Sequence, residues 1–160
     1  MADEKQIQQA QTIYEKLCRV LDGYDWQYEK NDETRSIKCG FRGEDIPIEL
    51  NIEVDVERTL VLVISCMSYT IQEDKRLDLA IAISAVNSTL VDCCFDYDIS
   101  KGNIFFRMAN TFLDRELSET LLAYMLVVSC HHIDSFNDKF LMISKGMLSI
   151  EQFLSDLENN

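Results

Sequence analysis

The segment from Ile48 to Val56 alternates strictly between apolar and polar side chains. Its apolar row is Ile48, Leu50, Ile52, Val54 and Val56, and its polar row is Glu49, Asn51, Glu53 and Asp55. Successive side chains of a β-strand point to opposite faces, so this alternation predicts a strand with one buried face and one wet face. The chain must therefore build a sheet whose two faces differ.

The preceding segment alternates in the same way and predicts the partner strand of a hairpin. If Phe41 faces Ile48 across this hairpin, Lys38 lies diagonally between Glu49 and Glu53. Opposite charges at such cross-strand positions favour the pairing by about 0.2–1 kcal/mol per contact.

The next segment, Leu60 to Cys66, is apolar on both faces. Such a strand is typically covered on both sides, so either more of this chain or a partner is expected to cover its second face. A second hairpin is predicted from Val91 to Phe112, around the turn-forming residues Ser100 to Asn103.

Helical spacing predicts three helices, at about residues 4–22, 75–90 and 115–145, and Ser149 with Gln152 indicates the cap of a short last helix. Asp3 and Gln6 form a capping-box pattern at the start of the first helix. The predicted order is helix, three strands, helix, two strands, helix. Because hairpins connect the strands, we expect an α+β fold with a mostly antiparallel sheet and helices packed on it, as a single domain over 1–160.

The net charge limits the class of partner. The 160 residues contain 15 Lys and Arg against 28 Asp and Glu, for a net charge of −13. Nucleic acids and anionic membranes both bind through basic residues, so neither is an expected partner. The segment Met1 to Lys5 lacks the pattern of a signal peptide, and we expect a cytoplasmic protein with reduced cysteines.

The predicted second helix has no charged residue beyond its first turn. A helix of this kind is either buried nearly all round or part of an interface. The sequence allows an ordinary core position under the other helices, but we favour a homodimer or partner interface. The expected interface residues are Leu79, Ile83, Val86 and Leu90 of the helix together with Val61, Val63 and Phe105 of the sheet.

The polar row of the Ile48–Val56 strand offers a second surface. Glu49, Glu53 and Asp55 would form an acidic docking face for a basic partner. The alternative is a solvated sheet face whose charges prevent edge-to-edge aggregation.

We find no catalytic, cofactor-binding or metal-binding set. Asp96 and Asp98 resemble the start of a calcium loop, but Lys101 stands where that loop needs glycine and Arg107 where it needs glutamate. His131 and His132 are adjacent, and neighbouring side chains on a helix diverge by about 100°, unlike paired metal ligands at i and i+4.

Three local patterns carry a resemblance to a known family. They are the strand region Ile48 to Met67, the second helix, and the hairpin pattern Phe95-x-Tyr97-x-x-x-x-Gly102-x-Ile104 ahead of the long helix. The positions of the second helix that match are Arg76, Leu79, Ala80, Val86, Asn87 and Leu90. With the element order, these patterns resemble the YbjN family, which shares the fold of class I type III secretion chaperones.

The resemblance implies a small acidic α+β domain that often dimerises. In the related chaperones, the second helix and nearby strands form the dimer, and hydrophobic surfaces hold an extended partner segment. Proteins of the YbjN family are described as sensory-transduction regulators, and the resemblance brings no catalytic motif.

The sequence therefore favours a non-enzymatic protein-interaction module, a regulator or chaperone-like protein that acts as a homodimer. The alternatives are an acidic inhibitor or immunity-type protein that binds a basic target, and an enzyme of unrecognised class.

Overall fold

The computed structural model describes residues 3–159 and contains four α-helices and six β-strands. The helices are α1 (Glu4–Gly23), α2 (Arg76–Asn87), α3 (Glu119–Ser144) and α4 (Ile150–Glu158), with a short 3₁₀ turn, Glu73–Lys75, before α2. The strands are β1 (Tyr28–Asn31), β2 (Ser36–Arg42), β3 (Pro47–Asp55), β4 (Leu60–Cys66), β5 (Cys93–Asp98) and β6 (Asn103–Thr111).

The strands form one sheet with the order β1-β2-β3-β4-β6-β5, and every neighbouring pair is antiparallel. The α+β class and the antiparallel sheet are confirmed. The first block, however, has four strands rather than three, because Tyr28–Asn31 adds a short edge strand. The short last helix is present as α4, after its cap Ser149.

Three of the four helices, α1, α3 and α4, begin at a residue whose side chain caps the helix. The Asp3 carboxylate accepts a hydrogen bond from the Gln6 amide nitrogen at 2.7 Å, and the Gln6 side chain accepts one from the Asp3 nitrogen at 2.8 Å. This is the capping box that the sequence predicts. Ser118 and Ser149 cap α3 and α4 with one hydrogen bond each, which the serine oxygen accepts from the backbone amide of Leu121 or Gln152.

The sheet register agrees with the predicted hairpin. Phe41 pairs with Ile48, and the Lys38 ammonium lies 3.1 Å from the Glu49 carboxylate. The apolar row of β3 is buried, whereas Glu49, Asn51 and Glu53 are exposed. The alternation therefore separates a helix-covered face from a face directed to water.

The helices pack on the face formed by the buried rows of the strands. Val61 and Val63 of β4 lie on this covered face with no exposed surface, next to Val54 and Ile52 of β3. The opposite row of β4, which includes Leu62 and Ile64, lies on the other face beside exposed polar residues of β3. The sequence allows either more of this chain or a partner as the cover of this second face, and no helix among residues 3–159 lies on it.

Candidate interaction surfaces

Helix α2 has a buried side and an exposed side, and both are apolar. Leu79, Ile83 and Val86 are between 0% and 4% exposed and belong to the core of the single chain. Leu77 and Ile81, on the other side, are 71% and 50% exposed. The sequence predicted α2 as an interface but assigned it to the buried side.

The remaining predicted interface residues divide in the same way. Val61 and Val63 are core residues, so they cannot contact a partner while the fold is intact. Leu90 and Phe105 are partly exposed. The sequence cannot distinguish the two cases. An apolar strand or an uncharged helix has the same pattern whether it packs against its own chain or against a partner.

The exposed side of α2 forms a continuous uncharged surface. It consists of Leu77, Ala80, Ile81, Ser84, Ala85 and Ser88, which we call the α2 patch. Two large apolar side chains thus lie among short ones. Short side chains allow the backbone of another element to approach closely, because interaxial distance depends on the residues at the contact.

Asn87, at the end of α2, covers the outer edge of the sheet. Its side-chain Nδ2 donates to the Phe95 carbonyl oxygen at 2.9 Å, and the Phe95 amide nitrogen donates to Asn87 Oδ1 at 2.8 Å. One amide therefore satisfies both outward-facing backbone groups of Phe95 on the edge strand β5. Because these backbone groups are already paired, an added strand could not pair with β5 at Phe95, and the edge is a poor docking site at this point.

Arg76, at the start of α2, holds the turn of the β5–β6 hairpin. Its guanidinium donates to the Ser100 carbonyl oxygen at 2.7 Å, and the Ile71 amide donates to the Gly102 carbonyl at 2.8 Å. The matched positions Arg76, Asn87 and Gly102 thus connect α2 to the hairpin, and their role here is structural.

The face of the sheet away from the helices, which we call the open face, has apolar residues at its centre. Its central members are Leu62, Ile64 and Cys66 of β4 and Phe105 and Ala109 of β6, flanked by Lys38, Glu49 and Glu53 on one side and by Cys94, Asp96 and Arg107 on the other. Leu62 is buried among these neighbours, Ile64 and Phe105 are partly exposed, and Cys66 and Ala109 are exposed.

The three residues of the predicted acidic docking face have different environments. Glu49 and Glu53 are exposed on the open face, and Glu49 pairs with Lys38. The Asp55 carboxylate instead accepts hydrogen bonds from the Arg58 amide at 2.9 Å and the Arg58 guanidinium at 2.5 Å. The backbone hydrogen bond and then the guanidinium hold the pKa of Asp55 below its usual range. Asp55 therefore closes the β3–β4 turn and belongs less to a docking face than the two glutamates.

The aspartates that resemble a calcium loop are used within the hairpin. Asp98 accepts hydrogen bonds from the Ser100 hydroxyl at 2.6 Å and from the Ser100 and Lys101 amides at 3.0 and 3.2 Å. The Asp96 carboxylate pairs with the Arg107 guanidinium at 2.6 Å. Arg107 holds the pKa of Asp96 below its usual range. Both carboxylates therefore stabilise the β5–β6 hairpin.

The adjacent histidines lie on α3 with ring centroids 5.5 Å apart. His131 is exposed, while partial burial lowers the pKa of His132. Among residues 3–159, no group of three or more His, Cys, Asp or Glu side chains is arranged to hold a metal ion.

The six cysteines are free thiols in the structure. Burial raises the pKa of Cys39 to about 11 and that of Cys130 to about 12. Cys66 is exposed on the open face, where partial burial and then the nearby Glu49 carboxylate raise its pKa. A raised pKa lowers the thiolate fraction, which is the wrong direction for a nucleophilic cysteine.

A cavity of about 510 Å³ lies between α3 and α4. Its apolar walls are formed by Phe136, Met142, Leu148, Phe153 and Leu157, and Ser135, Asp138, Lys139 and Asp156 also line it. Apolar side chains provide most of the exposed surface of this cavity, whereas a reaction site needs polar groups that converge on one point.

None of the four helices is both long enough and apolar enough to cross a membrane, as judged on the described part of the chain. The sequence matches no protein-family model and gives no significant match among curated proteins.

The architecture defines the class: an α+β protein with a six-stranded antiparallel open sheet and helices on one face. Within that class the fold is YbjN-like. The structure of YbjN from E. coli, a candidate transcription regulator, superposes with a TM-score of 0.57 at 12% identity, over 77% of this chain and 87% of that chain.

An uncharacterised protein from Methanothermobacter thermautotrophicus superposes with a TM-score of 0.53 at 14% identity, over 84% of this chain and 98% of that chain. The predicted resemblance is therefore confirmed at the level of the fold.

Proposed function

We propose that the protein is a non-enzymatic protein-interaction module, a regulator or chaperone-like protein of the cytoplasm, that acts as a homodimer through the α2 patch. The observation that carries the proposal is the α2 patch itself, with Leu77 71% and Ile81 50% exposed on an otherwise strongly acidic chain. Exposed apolar residues that form one surface, unlike scattered ones, mark interaction sites.

The charge distribution supports a second copy as the occupant of this patch. The chain carries a net charge of −13, so most pairs of surfaces from two copies repel each other. The α2 patch contains no ionisable side chain, and its alanines and serines let two α2 helices approach closely. Two copies can therefore meet here with little electrostatic cost and with Leu77 and Ile81 removed from water.

The first measurement is the molar mass in solution, by light scattering on a sizing column at tens of micromolar protein with reductant. We expect a mass near twice 18.5 kDa. Ile81→Glu places a charge in the α2 patch and should give a monomer. Val127→Glu is the matched control, because Val127 is also exposed on a helix, at 46% against 50% for Ile81.

The variant Ile83→Asp separates the interface from the core. Ile83 is 4% exposed, so a charge there should unfold the chain rather than release a folded monomer. A monomeric wild type, or an Ile81→Glu variant that remains dimeric, would refute the homodimer.

The net charge of −13 and the exposed Glu49 and Glu53 favour a second candidate, an acidic inhibitor or immunity-type protein. Its complex with a basic target would depend mainly on charge, and salt screens such contacts. Complete release of the target by 0.5 M NaCl would favour this candidate over an apolar contact.

A further inference from the structure

The open face departs from the pattern of a sheet face directed to water. Such faces usually carry polar side chains, as β3 does with Glu49, Asn51 and Glu53. The central strands β4 and β6 instead place Ile64 and Phe105 there, on the side that no helix covers.

The margins of the open face are acidic. The Lys38 and Arg107 cations pair with Glu49 and Asp96, at 3.1 and 2.6 Å. A third cation, the exposed Arg42, lies on this face at the end of β2. Glu53 lies in the same face and makes no ion pair within residues 3–159. The face therefore combines an apolar centre with a surplus of carboxylates.

The β1–β3 side of the open face is hollow. One cavity of about 490 Å³ is lined by residues that include Glu29, Lys38, Gly40 and Glu49, and a neighbouring one of about 450 Å³ reaches Ile64. A Cβ atom at Gly40 would meet no heavy atom within 4 Å, so the glycine leaves space beside the carboxylates. The hollow can hold side chains of a bound segment.

We propose that the open face binds a basic, amphipathic segment of a partner protein. Apolar side chains of the segment would pack on Ile64 and Phe105, and its Lys or Arg residues would reach Glu49 and Glu53. This inference rests on the proposed role as an interaction module and specifies the chemistry of the partner. A second copy of this chain does not fit, because it would bring more negative charge to an acidic surface.

The test uses synthetic peptides of alternating sequence as probes. A fluorescent 12-residue Leu-Lys peptide is titrated with the full chain by anisotropy, beside a Ser-Lys peptide of equal charge and a Leu-Glu peptide. We expect the Leu-Lys peptide to bind at least tenfold more tightly than either of the others, because only it has both the charge and the apolar groups.

Matched charge variants separate the open face from the general acidity of the chain. Glu49→Lys with Glu53→Lys should weaken binding of the Leu-Lys peptide tenfold or more. Glu15→Lys with Glu158→Lys makes the same change in net charge at exposed helix positions and should weaken it less than threefold.

Two further readouts report on the face itself. Gly40→Leu fills the hollow without changing charge and should weaken binding, while Gly23→Leu, at the end of α1 and equally open, should not. Bound peptide should also slow modification of the exposed Cys66 thiol at least fivefold.

Equal affinity for the Leu-Lys and Ser-Lys peptides would overturn the proposal, as would equal effects of the two charge variants or an unprotected Cys66. The oligomeric state is measured separately and depends on the α2 patch. A failure of the peptide test is thus distinct from a failure of the homodimer.

Discussion

At the scale of single residues, the side-chain amide of Asn87 takes the place of a neighbouring strand at the edge of β5. Its two hydrogen bonds to Phe95 satisfy a backbone N–H and a backbone C=O at the edge of β5. Asn87→Ala removes both partners, and a net loss of about 1 kcal/mol per hydrogen bond predicts a destabilisation of about 2 kcal/mol.

Urea unfolding measures this change in the free energy of unfolding. The control is Ser135→Ala, because the Ser135 hydroxyl donates only within its own helix α3, to the His131 carbonyl. Equal free energies of unfolding for the two variants would show that the Asn87 hydrogen bonds do not stabilise the edge of β5.

Cys66 provides the second prediction at this scale. It is the exposed thiol among the cysteines of the described chain, so it should react first with a disulfide reagent, and Cys66→Ser should remove that phase. The nearby Glu49 carboxylate contributes to its raised pKa. Glu49→Gln should therefore lower the pKa and speed the reaction at neutral pH, which a pH–rate profile measures.

At the scale of elements, the β5–β6 hairpin depends on one glycine. Gly102 has φ +75°, and a Cβ atom there would clash with the Ile71 carbonyl oxygen. Gly146 follows α3 with a similar φ of +70° but has open space around it. Alanine at Gly146 should cost about 1 kcal/mol from backbone strain alone, whereas alanine at Gly102 should cost about 3 kcal/mol or more because the clash adds to the strain.

Thermal and urea unfolding of the two alanine variants test this comparison. Both variants force alanine into a left-handed conformation, but only the Cβ atom at position 102 would clash with a neighbouring residue. A Gly102→Ala variant as stable as Gly146→Ala would mean that the segment around Ile71 moves away without cost.

The same elements show how far the sequence predicts the fold. The register of Phe41 with Ile48, and the Lys38–Glu49 pair that follows from it, were predictable because a one-residue slip would turn the apolar row of β3 to water. For α2 the apolar residues occupy both sides of the helix, so the pattern cannot tell whether Leu79 or Leu77 is buried. Only the packing of the other elements decides that.

The candidate surfaces were predictable to a smaller extent. The exposed glutamates of β3 follow from its alternation, whereas the apolar centre of the open face depends on β6 lying next to β4, a non-consecutive pairing. The two hydrogen bonds of Asn87 were also not predictable, because the backbone groups of Phe95 that form them belong to a strand that the sequence places only approximately.

At the scale of the whole molecule, charge acts in two opposite ways. The net charge of −13 produces repulsion within the folded chain. Local pairs act against it, and two of them, Lys16–Glu116 and Arg19–Glu119, join α1 to the segment at the start of α3 at 2.7 and 2.8 Å. Surface pairs of this kind contribute about 0–1 kcal/mol each, so we expect the repulsion to outweigh them.

Salt should therefore stabilise the protein. Between 20 and 300 mM NaCl the screening length falls from about 20 Å to about 6 Å, which removes most of the long-range repulsion but less of the short contacts. We expect the melting temperature to rise by several degrees. Glu15→Lys with Glu158→Lys changes the net charge from −13 to −9, two units per substitution, and should give a smaller rise. A melting temperature that falls with salt would show instead that ion pairs such as Lys16–Glu116 dominate the electrostatic free energy of the fold.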